Sequence, residues 1–208
     1  IAAAALLLAA FALIAWLYKS GGATGAGARA KLELLSRPHA ATVGPPDAKV
    51  HIVEFLDPAC ETCRAFYPFV KQLMAAHPGR IKLSVRHVAF HEGVAFAVQV
   101  LEASKRQDKY GPTLERLLAS QPRWVINHRA MPDLLWAQLD GLGLDLERLQ
   151  WDMKDVATAR NIGQDEDDAR ALGVQKTPEY FVNGRQMATF GQEELRQLIQ
   201  DELARRYP

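Results

Sequence analysis

Apolar and polar positions along the chain fall into stretches of different period. Val50 to Leu56 (VHIVEFL) is a short, mostly apolar, β-branched run bounded by Asp47 and Pro58, the pattern of a buried central strand in which Glu54 is the anomaly. Beyond it, apolar residues recur at Cys63, Phe66, Val70 and Leu73 and the segment stops at Pro78-Gly79, so a helix is predicted with the two cysteines at its start. Ile81 to Phe90 (IKLSVRHVAF) alternates, with Ile81, Leu83, Val85 and His87 on one face, which predicts a second strand and a βαβ unit with parallel strands. From about residue 92 to about residue 172 the periodicity is helical with few strand signals. Val174 to Gly184 (VQKTPEYFVNG) returns to strand character and ends on the hairpin signal Asn183-Gly184 before Gln186 to Phe190, while Gln192 to Arg206 repeats Leu195, Leu198, Ile199 and Leu203 as an amphipathic helix. The predicted order is β, α, β, helical insert, β-hairpin, α.

Ile1 to Tyr18 is an unbroken apolar run that ends in Trp16, Tyr18 and Lys19, residue types that settle at a membrane interface. Its length just spans a bilayer core, longer than the hydrophobic region of a cleaved signal peptide, so a retained transmembrane anchor is expected over 1–18. Ser20 to Ala30 is rich in glycine and alanine and reads as a tether within a linker over 19–39, leaving 40–208 as the folded domain. With 208 residues and 49% apolar content, that domain can bury one core but not two. Lysine and arginine (25) balance aspartate and glutamate (24), which removes nucleic acid from the set of partners.

The chain has two cysteines, Cys60 and Cys63, and none is left over for a structural bridge, so both thiols are reserved for chemistry. A cysteine at a helix start meets unpaired backbone N–H groups and the positive end of the helix dipole, which favour the thiolate. Cys60 is therefore expected to attack, and Cys63, one turn further in, to resolve the mixed disulfide; the spacing brings both sulfurs within bonding distance. The competing reading is a copper or zinc handling module that uses the dithiol as a ligand pair, with His87 and His91 nearby. Zinc is short of ligands, because no second CxxC or spaced histidine pair completes a tetrahedral set; copper(I) needs fewer soft ligands.

The stretch EFLDPACETC followed by KTPEYFVNG resembles the DsbA-type branch of the thioredoxin superfamily, over roughly residues 40 to 206. The resemblance implies an α/β thioredoxin-like fold, a central mixed sheet flanked by helices with a DsbA-type helical insertion, here preceded by the N-terminal transmembrane helix. It implies a thiol:disulfide oxidoreductase acting on exported proteins through a redox-active Cys60–Cys63 disulfide, with no cofactor and no resident metal. In that family the residue matched by Pro178 is a cis-proline facing the cysteines, and the one matched by Thr177 offers backbone hydrogen bonds to a bound client. Glu54 matches a buried acidic residue beneath the active site that exchanges a proton with Cys63. Some relatives pair this acid with a lysine where Val85 stands here, and His87, one step along the same face, is the candidate substitute. Pro68 matches a helix kink. The implied partners are exported clients with cysteines and a membrane redox partner, with the anchor in the cell inner membrane and the catalytic domain in the periplasm.

Between the cysteines stand Glu61 and Thr62, the dipeptide that tunes the potential. A carboxylate at Glu61, with Asp57 close by, opposes the Cys60 thiolate, so an oxidant milder than relatives with Pro-His is expected; the direction of electron flow stays open. Trp124, Trp136 and Trp151 in the insert are read as packing inside the helical block.

Overall fold

In a computed structural model that describes residues 27 and 29–208, the elements run along the chain as follows. Strands β1 (Ala41–Val43) and β2 (Val50–Leu56) precede helix α1 (Glu61–Ala76) and strand β3 (Ile81–His87). The insert comprises α2 (Ala95–Ser104), α3 (Tyr110–Ala119), α4 (Gln121–Trp124), a ribbon of β4 (Val125–Ile126) and β5 (Arg129–Ala130), then α5 (Pro132–Trp136), α6 (Leu146–Met153) and α7 (Val156–Ala171). The chain closes with β6 (Glu179–Val182), β7 (Arg185–Gln186) and α8 (Gln192–Arg206). The central sheet has the order β1-β3-β2-β6-β7. Strands β2 and β3 are parallel, and every other neighbour pair is antiparallel. The mixed sheet follows from the parallel βαβ unit and the returning hairpin, as the element order implies.

Strand β2 and helix α8 have the limits the pattern gives. Strand β3 ends at His87, not Phe90, and three other elements differ. Strand β1 was not expected; Gly44 after it has φ +104, and a Cβ there would lie 2.6 Å from the Ile81 carbonyl oxygen, so only glycine lets the turn close against β3. The hairpin is shorter than predicted, because β6 starts only at Glu179, after Pro178, which has no N–H to give a ladder. Its turn holds Asn183 and Gly184 at φ 48 and 83, the tight geometry that the Asn-Gly pair favours. The insert, expected to be a helical block with few strand signals, carries the β4–β5 ribbon; strands this short leave no periodicity to read.

One apolar cluster runs from β2 and β3 through α1 into α2, α3 and α8, so the insert shares the core of the sheet. Trp124 is fully buried, its indole N–H donating to the Leu117 carbonyl at 2.9 Å, and Trp136 packs against Phe96. Trp151 departs from the core reading at 71% exposed, because α6 buries only Leu149. Charge also enters the core: fully buried Arg86 on β3 bonds Asp165 at 2.5 Å and Asp168 at 2.7 Å on α7. Asp165 further accepts from the His87 backbone N–H and lies 2.6 Å from the His39 ring. Removing one partner strands a buried charge, so Asp165→Ala is expected to cost about 3–5 kcal/mol in urea unfolding. A loss near zero would show that Arg86 is adequately held by its other partners.

The expected anchor over 1–18 lies outside the described residues. Of the expected linker, 29–35 are helical, a run of Ala, Lys, Leu and Glu that favours helix. No helix among the described residues is long and apolar enough to cross a membrane.

Candidate active site

Asp57, Pro58 and Ala59 turn the chain from the end of β2 into α1, and Cys60 takes the N-cap position with an extended backbone (φ −74, ψ 119) and no side-chain cap. The N–H groups of the first turn are thereby left to the sulfur. Cys60 is 7% exposed and Cys63 fully buried, and both are free thiols. The Thr177–Pro178 bond is cis, and the Thr177 carbonyl lies 3.3 Å from the Cys60 Sγ. The structure thus brings Cys60, Cys63, Thr177 and Pro178 to one place although 117 residues separate Cys60 from Thr177.

The two thiols are driven apart in acidity. A hydrogen bond from Cys63 is the largest influence on Cys60; burial opposes it, but Thr177 and the backbone N–H groups of Cys63 and Thr62 bring the thiol down to about 5. Cys63 goes the other way, well above its ordinary value, because burial, the neighbouring sulfur and the Glu54 charge all oppose its ionisation. At neutral pH Cys60 is a thiolate and Cys63 a thiol, the division of labour that attack and resolution require.

Glu54 on β2 is fully buried. Burial pushes its carboxyl up to about 8, against the pull of the Tyr180 hydroxyl, which donates to Oε1 at 3.0 Å. Its Oε2 has no partner among the described residues. Val85 stands directly across the ladder, so no cation faces the acid from that position. His87 does not replace it: its ring lies 3.2 Å from Glu102 Oε1 and 3.1 Å from the Tyr110 hydroxyl. The partner of Glu54 is Tyr180 on β6, which the antiparallel register places opposite it.

Two further expectations are corrected. Glu61 does not crowd the thiolate; its exposed carboxylate turns outward, 3.8 Å from the His128 ring. Nor does Asp57 face the sulfur. Its buried carboxylate accepts the N–H of Ala59 at 2.8 Å, the N–H groups of Phe90 and His91 at 2.8 and 2.9 Å, and lies 2.9 Å from the His91 ring. It clamps the loop before Cys60 to the end of β3. Gln121, buried in the insert, donates its side-chain amide to the carbonyls of Pro58 and Cys60 at 2.9 and 3.0 Å. Nothing in the local pattern around Gln121 signals that role, since the contact spans 61 residues.

The metal reading is not favoured. Among the described residues the grouping able to hold an ion is His87, Glu102 and Asp165, which includes neither cysteine. Its acids already face Lys105 and Arg86, and His91 is engaged by Asp57.

The family model described as thioredoxin matches residues 36–201. The chain belongs to the thioredoxin family. Disulfide bond formation protein D of Bacillus subtilis is 26% identical over 174 residues, 77% of this chain and 76% of that protein. A crystal structure of a thioredoxin-like oxidoreductase from Silicibacter pomeroyi DSS-3 superposes with TM-score 0.72 at 28% identity, covering 83% of this chain and 96% of that one. The Na(+)/H(+) antiporter NhaA of Herminiimonas arsenicoxydans is 29% identical over 144 residues, 69% of this chain but 22% of that protein, so the chain spans less than a quarter of the length of this relative. The two relatives matched along most of their length are described as a disulfide bond formation protein and a thioredoxin-like oxidoreductase.

Proposed function

We propose that this thioredoxin-family protein exchanges disulfides with exported proteins that carry cysteines, acting as a mild oxidant. In the oxidised form a client thiolate attacks the Cys60 sulfur, the Cys60–Cys63 bond breaks, and the electron pair leaves on Cys63, which takes a proton from the Glu54 carboxyl. A second client thiolate then attacks the client's own bridged sulfur and expels Cys60 as a thiolate. The client's two thiols are oxidised to one disulfide and the protein's disulfide is reduced to a dithiol. Read backwards, the same steps reduce or reshuffle a client. Thr177 and Pro178 present backbone to the client beside Cys60. Thr62 tunes the couple through its N–H.

The observation that carries this reading is the pair of opposed thiols: Cys60 drawn down to about 5 at a helix start and Cys63 pushed well above its usual value behind it. A stabilised thiolate stabilises the reduced form and so makes the disulfide a better oxidant. A thiol at about 5 falls between couples near −270 mV and near −120 mV, so a potential inside that window, about −200 mV, is expected. The location follows from the same reading: a domain held outside the cytoplasm, in the periplasm, by the apolar run at 1–18 in the inner membrane, where a membrane redox partner resets the dithiol.

Equilibration in glutathione buffers, together with the pH dependence of thiolate absorbance, tests the proposal. A Cys60 that titrates near 9, or a couple more reducing than about −270 mV, would overturn the assignment as a mild oxidant.

A further inference from the structure

The loop that presents Cys60 is gripped from two sides by side chains outside the CxxC motif. The peptide joining Pro58 to Ala59 is planar, with its C=O and N–H pointing in opposite directions. Gln121 holds the carbonyl end at 2.9 Å and Asp57 holds the N–H end at 2.8 Å. The Cys60 carbonyl, on the peptide that starts the helix, is held both by Gln121 at 3.0 Å and by the Arg64 N–H at 3.1 Å. Both donors of one buried amide are therefore spent on the two carbonyls flanking Ala59. Gln121 is 1% exposed, and a buried primary amide is retained against desolvation only where its hydrogen bonds are made.

We propose that Gln121 is a positioning residue of the redox centre. It draws the carbonyls of Pro58 and Cys60 toward the insert, so that neither oxygen turns toward the Cys60 sulfur and the N–H groups of Thr62 and Cys63 act on it unopposed. Carbonyl oxygens turned toward a thiolate repel it, whereas N–H groups stabilise it. The insert thereby sets the acidity of Cys60 from a helix that never touches the sulfur through a charge. This inference rests on the reading of Cys60 as the attacking thiolate and names a residue, outside the motif, that makes it one.

Gln121→Met keeps the length and volume of the side chain and removes both donors. In the full chain it is expected to raise the Cys60 pKa by about one unit, and hence to shift the glutathione equilibrium about tenfold toward the disulfide. Gln121→Asn, whose amide is one methylene short of the two carbonyls, is expected to move both quantities in the same direction by a smaller amount, and it serves as the reading if the methionine variant does not fold. Iodoacetamide alkylation rates against pH give the pKa, and thermal unfolding is followed in parallel. A lower melting temperature with both redox quantities unchanged in a folded variant would assign Gln121 a packing role only and overturn the proposal. Wild-type protein that fails to oxidise any reduced client, while Gln121→Met still moves the Cys60 pKa, would sink the proposed function and leave the positioning role standing.

Discussion

Cys63→Ser is expected to leave the protein joined to its clients. The Cys60 thiolate still opens a client disulfide, but without Cys63 the protein has no second sulfur to resolve the mixed disulfide, so adducts accumulate and appear on non-reducing gels as higher-mass bands that reductant collapses. Cys60→Ser is expected to remove exchange altogether, a loss on the order of a thousandfold or more, because a hydroxyl is no nucleophile toward disulfides. The asymmetry is sharpest at mildly acidic pH. With Cys60 at about 5 and Cys63 well above its ordinary value, alkylation of the reduced protein at about pH 6 modifies Cys60 while free cysteine stays almost wholly protonated. Equal labelling of both sulfurs, or adducts formed by Cys60→Ser instead of Cys63→Ser, would reverse the assignment of roles.

Glu54→Gln is expected to stabilise the fold and slow the chemistry at once. The Glu54 carboxyl is fully buried and raised from 4.5 to about 8, so the folded state holds a proton that the unfolded chain gives up. Its contribution is fully present below the unfolded value and is lost progressively as pH rises from about 4.5 to about 8, above which the folded carboxyl ionises as well. At neutral pH the penalty is on the order of 3 kcal/mol, and an amide in the same place escapes it. Urea unfolding should therefore show the variant more stable at pH 7 and equal to wild type near pH 4. Exchange steps that protonate or deprotonate Cys63 should slow by about a hundredfold, the scale of a lost general acid–base group. A variant no more stable at pH 7 than wild type would mean that Glu54 is ionised or solvated in the fold. Unchanged kinetics would remove it from the proton path.

The most legible parts of the chain are those where chemistry and local backbone coincide. The strand Val50–Leu56, the helix opening at Glu61 and the Asn183-Gly184 turn are written in periods of two, of three to four, and in residues that accept positive φ. Cys60 and Cys63 belong to the same local signal, since the helix start that acidifies a thiol is also a break in hydrophobic pattern. Glu54 was legible as an anomaly, an acid inside an apolar strand.

Errors and omissions have a common source in contacts between distant segments. Asp57 stands three residues before Cys60, and proximity in sequence suggested an opposing charge; the fold turns the carboxylate to the N–H groups of Phe90 and His91. His87 shares a sheet face with Val85, yet its ring is claimed by Glu102 and Tyr110 from the insert. Tyr180, which bonds Glu54, and Gln121, which holds the Cys60 carbonyl, are ordinary residues in their own windows. Their roles exist only after β6 pairs with β2 and the insert closes over the loop.

Sequence alone determined that the two cysteines lie at a helix start and the order of the principal elements, because those follow from short-range sterics, periodicity and the covalent spacing of two sulfurs. Tertiary structure decided which groups set the acidity of each sulfur and which groups hold the loop that presents them. Desolvation and hydrogen bonding act through space at about 3 Å, and the residues that come that close were brought there by packing of strands and helices far apart along the chain.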